Sequence, residues 1–457
     1  MIRAFHHYFS SRKLALFLVE TSAIAIASWI GAAVTALAAA PARGGLQVGE
    51  ALPALATTAL AFVATFQLAM YFSDLYDLRV ATEDRSRGVR VLRAVGIAAL
   101  MMGLTMMASR FNPPEGALLG GAAGAILGIV LVRIGLRGVV GEPERILIVG
   151  NGKRARWLAK AAVEQGEFGF EVCGMIDPRR DSNDGSGEET IDEIAARLDT
   201  QYVVLASEDP RGSGWSEELL RCRMAGRRVY DIPGFCERVL RRIPVLHLRA
   251  SDLAFADELS ISNLRSITKR ACDIVAATAL LVLAAPLMVL VALAIKLDSP
   301  GPVFYRQERI GKSGKSFWLW KFRSMAKDAE ANGAMWAREN DGRATRVGKI
   351  LRKARIDEVP QAFNVLLGQM SFVGPRPERP VFVAELKNQI PFYELRELVP
   401  PGITGWAQIR YSYGASVEDA RNKLEFDLYY LRNGGLFLDL MIIFHTFRHV
   451  LLGRGAR

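Results

Sequence analysis

Means for disulfide chemistry are missing from this sequence. Its 457 residues contain four cysteines, Cys173, Cys222, Cys236 and Cys272, scattered without paired spacing. Neither a disulfide framework nor a zinc site is indicated, and a reducing compartment fits. Acids are also in short supply, 47 against 58 lysines and arginines, which leaves a formal charge of +11. Polar residues as a class are too few for an ordinary soluble enzyme of this size, because 51% of the chain is hydrophobic.

What is there instead is a set of long apolar runs. Residues 14–40, 51–71, 91–109 and 117–132 each approach or reach the roughly 20 residues that cross a hydrocarbon core as a helix. A four-helix transmembrane bundle is therefore predicted over 1–140. Arg3, Arg12 and Lys13 precede the first run, and Arg79, Arg85, Arg87, Arg90 and Arg93 crowd the loop after the second. The other two loops carry only Arg43 and Arg110. By the positive-inside rule both ends of the bundle face the cytoplasm. The first run is too long for a cleavable signal peptide, and basic loops follow it. Much of the positive charge then belongs to a cytoplasmic surface that anionic lipid headgroups attract, and no nucleic-acid partner is needed to explain it.

An α/β segment follows over 141–237. Residues 145–149 read as a buried strand running into Gly150 and Gly152, then a helix near 157–163, a strand over 172–177, a polar loop over 181–189, a helix over 191–198, a strand over 202–206 and a helix over 217–225. That is the order of a Rossmann-like domain. Its glycine turn could bring a helix N-terminus to a phosphate, but the same turn serves any tight strand-to-helix packing, so a spacer or regulatory module is the favoured reading. A connector over 238–264 carries Arg238, Arg241 and Arg242 near Pro244. The uncharged run 274–295 is flanked by Lys269 and Arg270 on one side and Lys296 on the other, with Pro286 inside. Both flanks belong at the cytoplasmic face, so a re-entrant helix over 270–297, broken at Pro286, is expected. Asp273 would pair with Lys269 and Arg270 at the interface.

The stretch 352–377, RKARIDEVPQAFNVLLGQMSFVGPRP, sets Asp357 and Glu358 among cations and closes with Arg376 between two prolines. An ionised carboxylate can attack phosphorus or hold a divalent cation, and a guanidinium in a stiff frame can grip phosphate oxygens bidentately. Arg352, Lys353 and Arg355 should favour the ionised form of Asp357. Read locally, the same acids before Pro360 also make a helix start. Likewise Lys321 and Arg323 could be an exposed strand edge, and Trp406 an interfacial anchor.

Taken together, SPGPVFYRQERIG at 299–311, KFRSM at 321–325, RIDEVPQ at 355–361 with Asn364, Gly368, Met370, Ser371 and GPRP at 374–377, and PGITGWAQ at 401–408 resemble the bacterial sugar transferases. These are the monotopic polyprenyl-phosphate phosphoglycosyl transferases that start exopolysaccharide and O-antigen assembly. The tail, YSYGAS at 411–416 with Glu418 and DLYY at 427–430, resembles the exopolysaccharide branch. The resemblance implies an α/β monotopic catalytic domain over 265–457. It makes Asp357 the nucleophile that attacks the β-phosphorus of a UDP-sugar, expelling UMP and forming a phosphosugar-aspartyl intermediate. Glu358 would assist in metal placement or proton handling, and Mg2+ would be held by Asp357 and substrate oxygens. Arg376, Lys321 and Arg323 would line the phosphate pocket, and Gly402, Thr404, Gly405 and Gln408 the nucleotide end.

The partners implied are a UDP-sugar, undecaprenyl phosphate and lipids of the bacterial inner membrane, with a homodimer left open. Two departures stand out: Ala285 precedes Pro286 where many members have serine, and Val359 stands where leucine is common. The alternatives are a membrane-bound sugar-nucleotide dehydratase and a non-enzymatic nucleotide-sensing regulator. The first would need a tyrosine followed four residues later by lysine, and the chain has no such pair.

Overall fold

A computed structural model of the chain describes residues 2–4, 7–9, 11–39, 48–73, 75–76, 84–109, 116–135, 143–165, 170–176, 189–206, 215–254, 263–326, 342–411, 414 and 416–451. Arg43, Arg79 and Arg110, used above to orient the bundle, and most of the polar loop 181–189 lie outside them. The chain forms two compact units, residues 1–2 with 9–231 and residues 3–8 with 232–457. A short ribbon of β1 (Ile2–Ala4) and β2 (His7–Phe9) stands at the start.

Four long helices follow, α1 (Ser11–Ala39), α2 (Val48–Phe72), α3 (Asp84–Ser109) and α4 (Ala117–Gly135). Each is long and apolar enough to cross a membrane, over Leu14–Ala38, Leu52–Phe72, Val89–Met107 and Ala117–Gly135. Small residues let their backbones touch: a Cβ on Gly31 would lie 2.0 Å from the Gly120 carbonyl oxygen, and one on Gly124 2.0 Å from that of Ala27. Without a hydrophobic drive between helices in lipid, such close packing and polar contacts hold them together. The polar contacts gather Glu20, Thr21, Gln67, Tyr76 and Arg133. Arg133 Nε lies 2.8 Å from the fully buried Glu20 carboxylate, Arg133 Nη2 donates to the Leu75 carbonyl at 3.1 Å, Gln67 Nε2 donates to Thr21 Oγ1 at 2.7 Å, and the Tyr76 hydroxyl donates to Gln67.

The α/β part consists of β3 (Glu144–Val149), α5 (Lys153–Gln165), β4 (Phe170–Ile176), α6 (Ile191–Arg197), β5 (Tyr202–Leu205), α7 (Ser216–Met224) and β6 (Arg228–Asp231). Its four strands are all parallel in the order β4-β3-β5-β6. Apart from Arg145 the central strands are buried along their lengths, as a sheet covered on both faces requires. Gly150 sits at φ +129°, and a Cβ there would come 3.2 Å from Ala206. Gly152 meets nothing within 4 Å, so packing demands only the first glycine of the turn.

In the second unit the segment expected as a connector is partly core. Ile243 and Val245 are buried in the main cluster with Val373, Tyr393, Trp406 and Tyr429, and Arg242 pairs with Glu425 at 3.3 Å. Next comes α8 (Asn263–Asp298), 36 residues long. It continues across Pro286 instead of ending there, since a proline removes a single hydrogen bond, here to the Val282 carbonyl, and a helix can absorb that as a kink. The expected ion pair of Asp273 is also replaced. Buried Asp273 accepts from Ser371 Oγ at 3.0 Å and the Phe372 amide at 2.9 Å, while Lys269 pairs with Asp439 at 2.8 Å. Burial favours fixed donors over helix-surface cations.

Around α8 lie an antiparallel hairpin of β7 (Phe304–Ile310) and β8 (Ser316–Phe322), a parallel pair β9 (Ser371–Val373) and β10 (Gly402–Thr404), and the helices α9 (Arg346–Lys353), α10 (Gln361–Leu366), α11 (Pro380–Gln389), α12 (Trp406–Arg410), α13 (Val417–Asn433) and α14 (Leu436–Leu451). Trp406 is no interfacial anchor: it is buried, and its Nε1 donates to the Arg241 carbonyl at 3.0 Å.

Candidate active site

Asp357 and Glu358 lie in a single tight turn, Ile356–Glu358, between α9 and α10. Arg355 opens that turn at φ +53°, a left-handed geometry that a non-glycine residue adopts at a cost. Pro360 directly precedes α10, so the dyad does stand at a helix start, and that local fact does not compete with chemistry.

The cations divide the two acids. Glu358 Oε1 accepts from Arg376 Nη2 at 2.7 Å and from Lys321 Nζ at 3.3 Å, and its Oε2 lies 3.7 Å from Arg355 Nη1. Among the described residues Asp357 has no such ion pair. Burial pushes the Asp357 carboxyl up to about 6 against the pull of Lys321, and the Glu358 charge adds to the rise. Burial works the same way on Glu358, but Arg376 and Lys321 outweigh it and hold that carboxyl well below the usual range. Burial also lowers the Lys321 ammonium, against the attraction of Glu358. Cationic neighbours were expected to favour ionised Asp357, and Lys321, Arg376 and Arg352 do pull its carboxyl down, but burial outweighs them, and the direct contacts of Lys321, Arg376 and Arg355 go to Glu358.

Lys321 and Arg376 thus meet the dyad, whereas Arg323 does not. Its guanidinium donates to the Ser299 carbonyl at 2.7 Å, Ser299 Oγ at 3.0 Å and the Pro300 carbonyl at 3.1 Å, clamping the end of α8. Two residues apart, Lys321 and Arg323 would share a face only if the strand continued, and β8 ends at Phe322. Residues Gly402, Thr404, Gly405 and Gln408 lie beneath the Arg376 loop. Cβ atoms on Gly402 and Gly405 would fall 2.1 Å and 2.2 Å from Gly374 backbone atoms. The Thr404 hydroxyl bonds that of Thr446 at 2.6 Å, and Gln408 Nε2 donates to the Ile403 carbonyl at 3.3 Å. These contacts let backbone support the Pro-Arg-Pro frame.

Sequence reasoning missed Arg309 and Arg396, which donate to the Pro377 and Arg376 carbonyls at 3.0 Å and 2.7 Å. Arg309 was within reach as part of the 299–311 motif; nothing in the spacing around Arg396 marks it.

Among the described residues no group of three or more His, Cys, Asp or Glu side chains could hold a metal. Magnesium asks for less, binding through one or two carboxylates with waters and phosphate oxygens. With Glu358 engaged by three cations, Asp357 is the carboxylate left for it, and the residues fit.

The family profile described as bacterial sugar transferase matches residues 264–453. A UDP-N-acetylgalactosamine-undecaprenyl-phosphate N-acetylgalactosaminephosphotransferase of Aeromonas hydrophila is 45% identical over 58% of this chain and 61% of its own length. An undecaprenyl-phosphate glucose phosphotransferase of Komagataeibacter xylinus is 36% identical over 68% of this chain and 60% of its own. A putative undecaprenyl-phosphate N-acetylgalactosaminyl 1-phosphate transferase of Bacillus subtilis strain 168 is 47% identical over 30% of this chain and 84% of its own. The chain thus spans about three fifths of the first two relatives.

Proposed function

Because this chain belongs to the bacterial sugar transferase family, we propose that it transfers a sugar-1-phosphate from a UDP-sugar to undecaprenyl phosphate, releasing UMP, as the first membrane step of exopolysaccharide or O-antigen assembly. The observation that carries this reading is the unequal treatment of the dyad. Three cations hold Glu358, and Asp357 beside it is left for the reacting phosphorus.

In this mechanism an Asp357 Oδ atom attacks the β-phosphorus, the bond from that phosphorus to the bridging oxygen breaks, and UMP leaves with the electron pair. An oxygen of the lipid phosphate then attacks the same phosphorus and Asp357 departs as a carboxylate. Arg376 grips donor phosphate oxygens, and Glu358 holds Arg376 and Lys321 in place. Asp357 would hold Mg2+ together with donor oxygens, and the bound ion would supply the charge neutralisation that an anion needs to approach another anion.

The membrane reading is that α1–α4 cross the inner membrane and α8 enters and leaves on the cytoplasmic side. Its support is that both ends of the apolar run are tied to one fold. Arg270 donates to the Val365 and Leu366 carbonyls, Asp298 accepts from the Val347 amide at 3.2 Å, and Val282, Leu283, Val289 and Leu290 between them are exposed. From Asp273 to Asp298 a straight helix would advance about 38 Å, more than the hydrocarbon thickness of about 30 Å, which would set those polar anchors on opposite faces.

Incubating the protein with Mg2+, undecaprenyl phosphate and labelled UDP-glucose, UDP-galactose or UDP-N-acetylgalactosamine should give a lipid-linked sugar plus UMP for at least one donor. A chemically altered nucleotide sugar would make the chain a dehydratase, and ligand retention without turnover would make it a regulator.

A further inference from the structure

Arg376 stands in a segment that cannot hold itself. Pro375 and Pro377 have no N–H to give, so what fixes the frame must come through its carbonyls. Four consecutive carbonyls are each met from elsewhere. Pro375 accepts from the Gly402 amide at 2.9 Å and Glu378 from the Ile310 amide at 3.0 Å. Pro377 accepts from Arg309 at 3.0 Å and Arg376 from Arg396 Nη2 at 2.7 Å. The last contact belongs to the residue that carries the charge.

Arg396 is itself fixed on two further sides. Its Nη2 lies 3.1 Å from Asp427 Oδ2, with the two side chains 11% and 3% exposed, and its Nη1 donates to the Tyr393 hydroxyl at 2.6 Å. One planar fork thus spans a buried carboxylate on α13, a phenol and the backbone of the proposed phosphate-gripping residue. Only a guanidinium has this reach; an ammonium is a point charge on a flexible stem.

We propose that Arg396, anchored by Asp427 and Tyr393, is a positioning residue that sets where Arg376 meets the donor phosphates. This rests on the reading of Arg376 as a phosphate ligand. Arg396 touches no substrate in this scheme; it acts through the Arg376 carbonyl.

The test is a double-mutant cycle between Arg396→Lys and Arg376→Ala, read on kcat in the transfer reaction and on affinity for UDP, which carries both phosphates whatever the sugar and needs no turnover. Arg396→Lys alone should lower kcat about 100-fold, the scale of a misplacement of about 1 Å, and weaken UDP. In the Arg376→Ala background the same change should cost less than about twofold, because residues acting through one another are not additive. Tyr393→Phe, which removes one hydrogen bond and strands no charge, should lower kcat and UDP affinity in the same coupled way and serves if Arg396→Lys does not fold. Equal losses in both backgrounds, or unchanged kcat and UDP affinity in Arg396→Lys, would overturn the proposal. Absence of lipid-linked sugar from the unaltered protein would instead overturn the transferase reading, with the UDP cycle still deciding the role of Arg396.

Discussion

At the residue scale the site depends on where one proton goes. Asp357 and Glu358 are neighbours in a buried turn, and both cannot be ionised without compensation. Arg376 and Lys321 settle the competition for Glu358, so as pH falls Asp357, whose carboxyl burial pushes up to about 6, is the first of the two to take up a proton. Since attack needs the carboxylate, kcat/KM should fall as pH drops through about 6, and a pH–rate profile checks this. The folded protein holds the Asp357 proton more tightly than the unfolded chain, from the ordinary 3.8 up to about 6. Ionising it therefore costs folding free energy, a cost that grows through that window and is complete above it. Asp357→Asn should then melt higher than the parent above pH 6 while turnover falls by orders of magnitude; near-normal turnover would remove Asp357 as nucleophile.

The element scale shows what patterns in a sequence can carry. Strand and helix positions of the α/β part were legible because alternating and continuous apolar runs translate directly into buried strands, as at Ile146 to Val149. Asp357, Glu358, Lys321 and Arg376 were legible because their motifs travel together, and they do converge. Arg323 was misread because the strand ends one residue before it, and Asp273 because helix spacing says nothing of burial. Arg396 was invisible because Arg376 and Asp427 reach it only through the tertiary fold, and Tyr393, three residues before it, marks no motif with it.

Tertiary pairing also governs the helices α1–α4. Glu20 and Arg133 are 113 positions apart, yet form one buried ion pair. Removing Arg133 strands the fully buried Glu20 charge, so Arg133→Leu should destabilise the helical assembly by about 3–5 kcal/mol, whereas Arg133→Leu with Glu20→Leu should recover most of that loss. Thermal unfolding in detergent of both variants distinguishes this from a pair of no consequence, which would leave the single variant near the parent.

For the whole molecule, the proposed scheme joins a soluble donor and a lipid-borne acceptor at one interfacial turn. In that scheme four crossings would return the chain to the cytoplasmic side, and α8, itself long and apolar enough to cross a membrane, must not add a fifth, or Asp357 would face the side opposite its donor. In a background without the four native cysteines, Thr268→Cys and Leu297→Cys should both react with an impermeant thiol reagent only when the inner face is exposed. Reaction from opposite faces would mean a crossing helix. With one site serving both substrates in turn, donor chemistry must run to completion before the acceptor arrives. The most direct test is therefore to mix the protein with Mg2+ and a UDP-sugar donor while withholding undecaprenyl phosphate, quench in acid, and measure UMP and the mass of the peptide containing Asp357. The expected result is a burst of UMP limited to about one per chain and a hexose-phosphate increment on Asp357 that disappears when the lipid phosphate is added. No UMP before the acceptor is added, with Asp357 unmodified, would contradict the account and leave direct transfer between the two bound substrates.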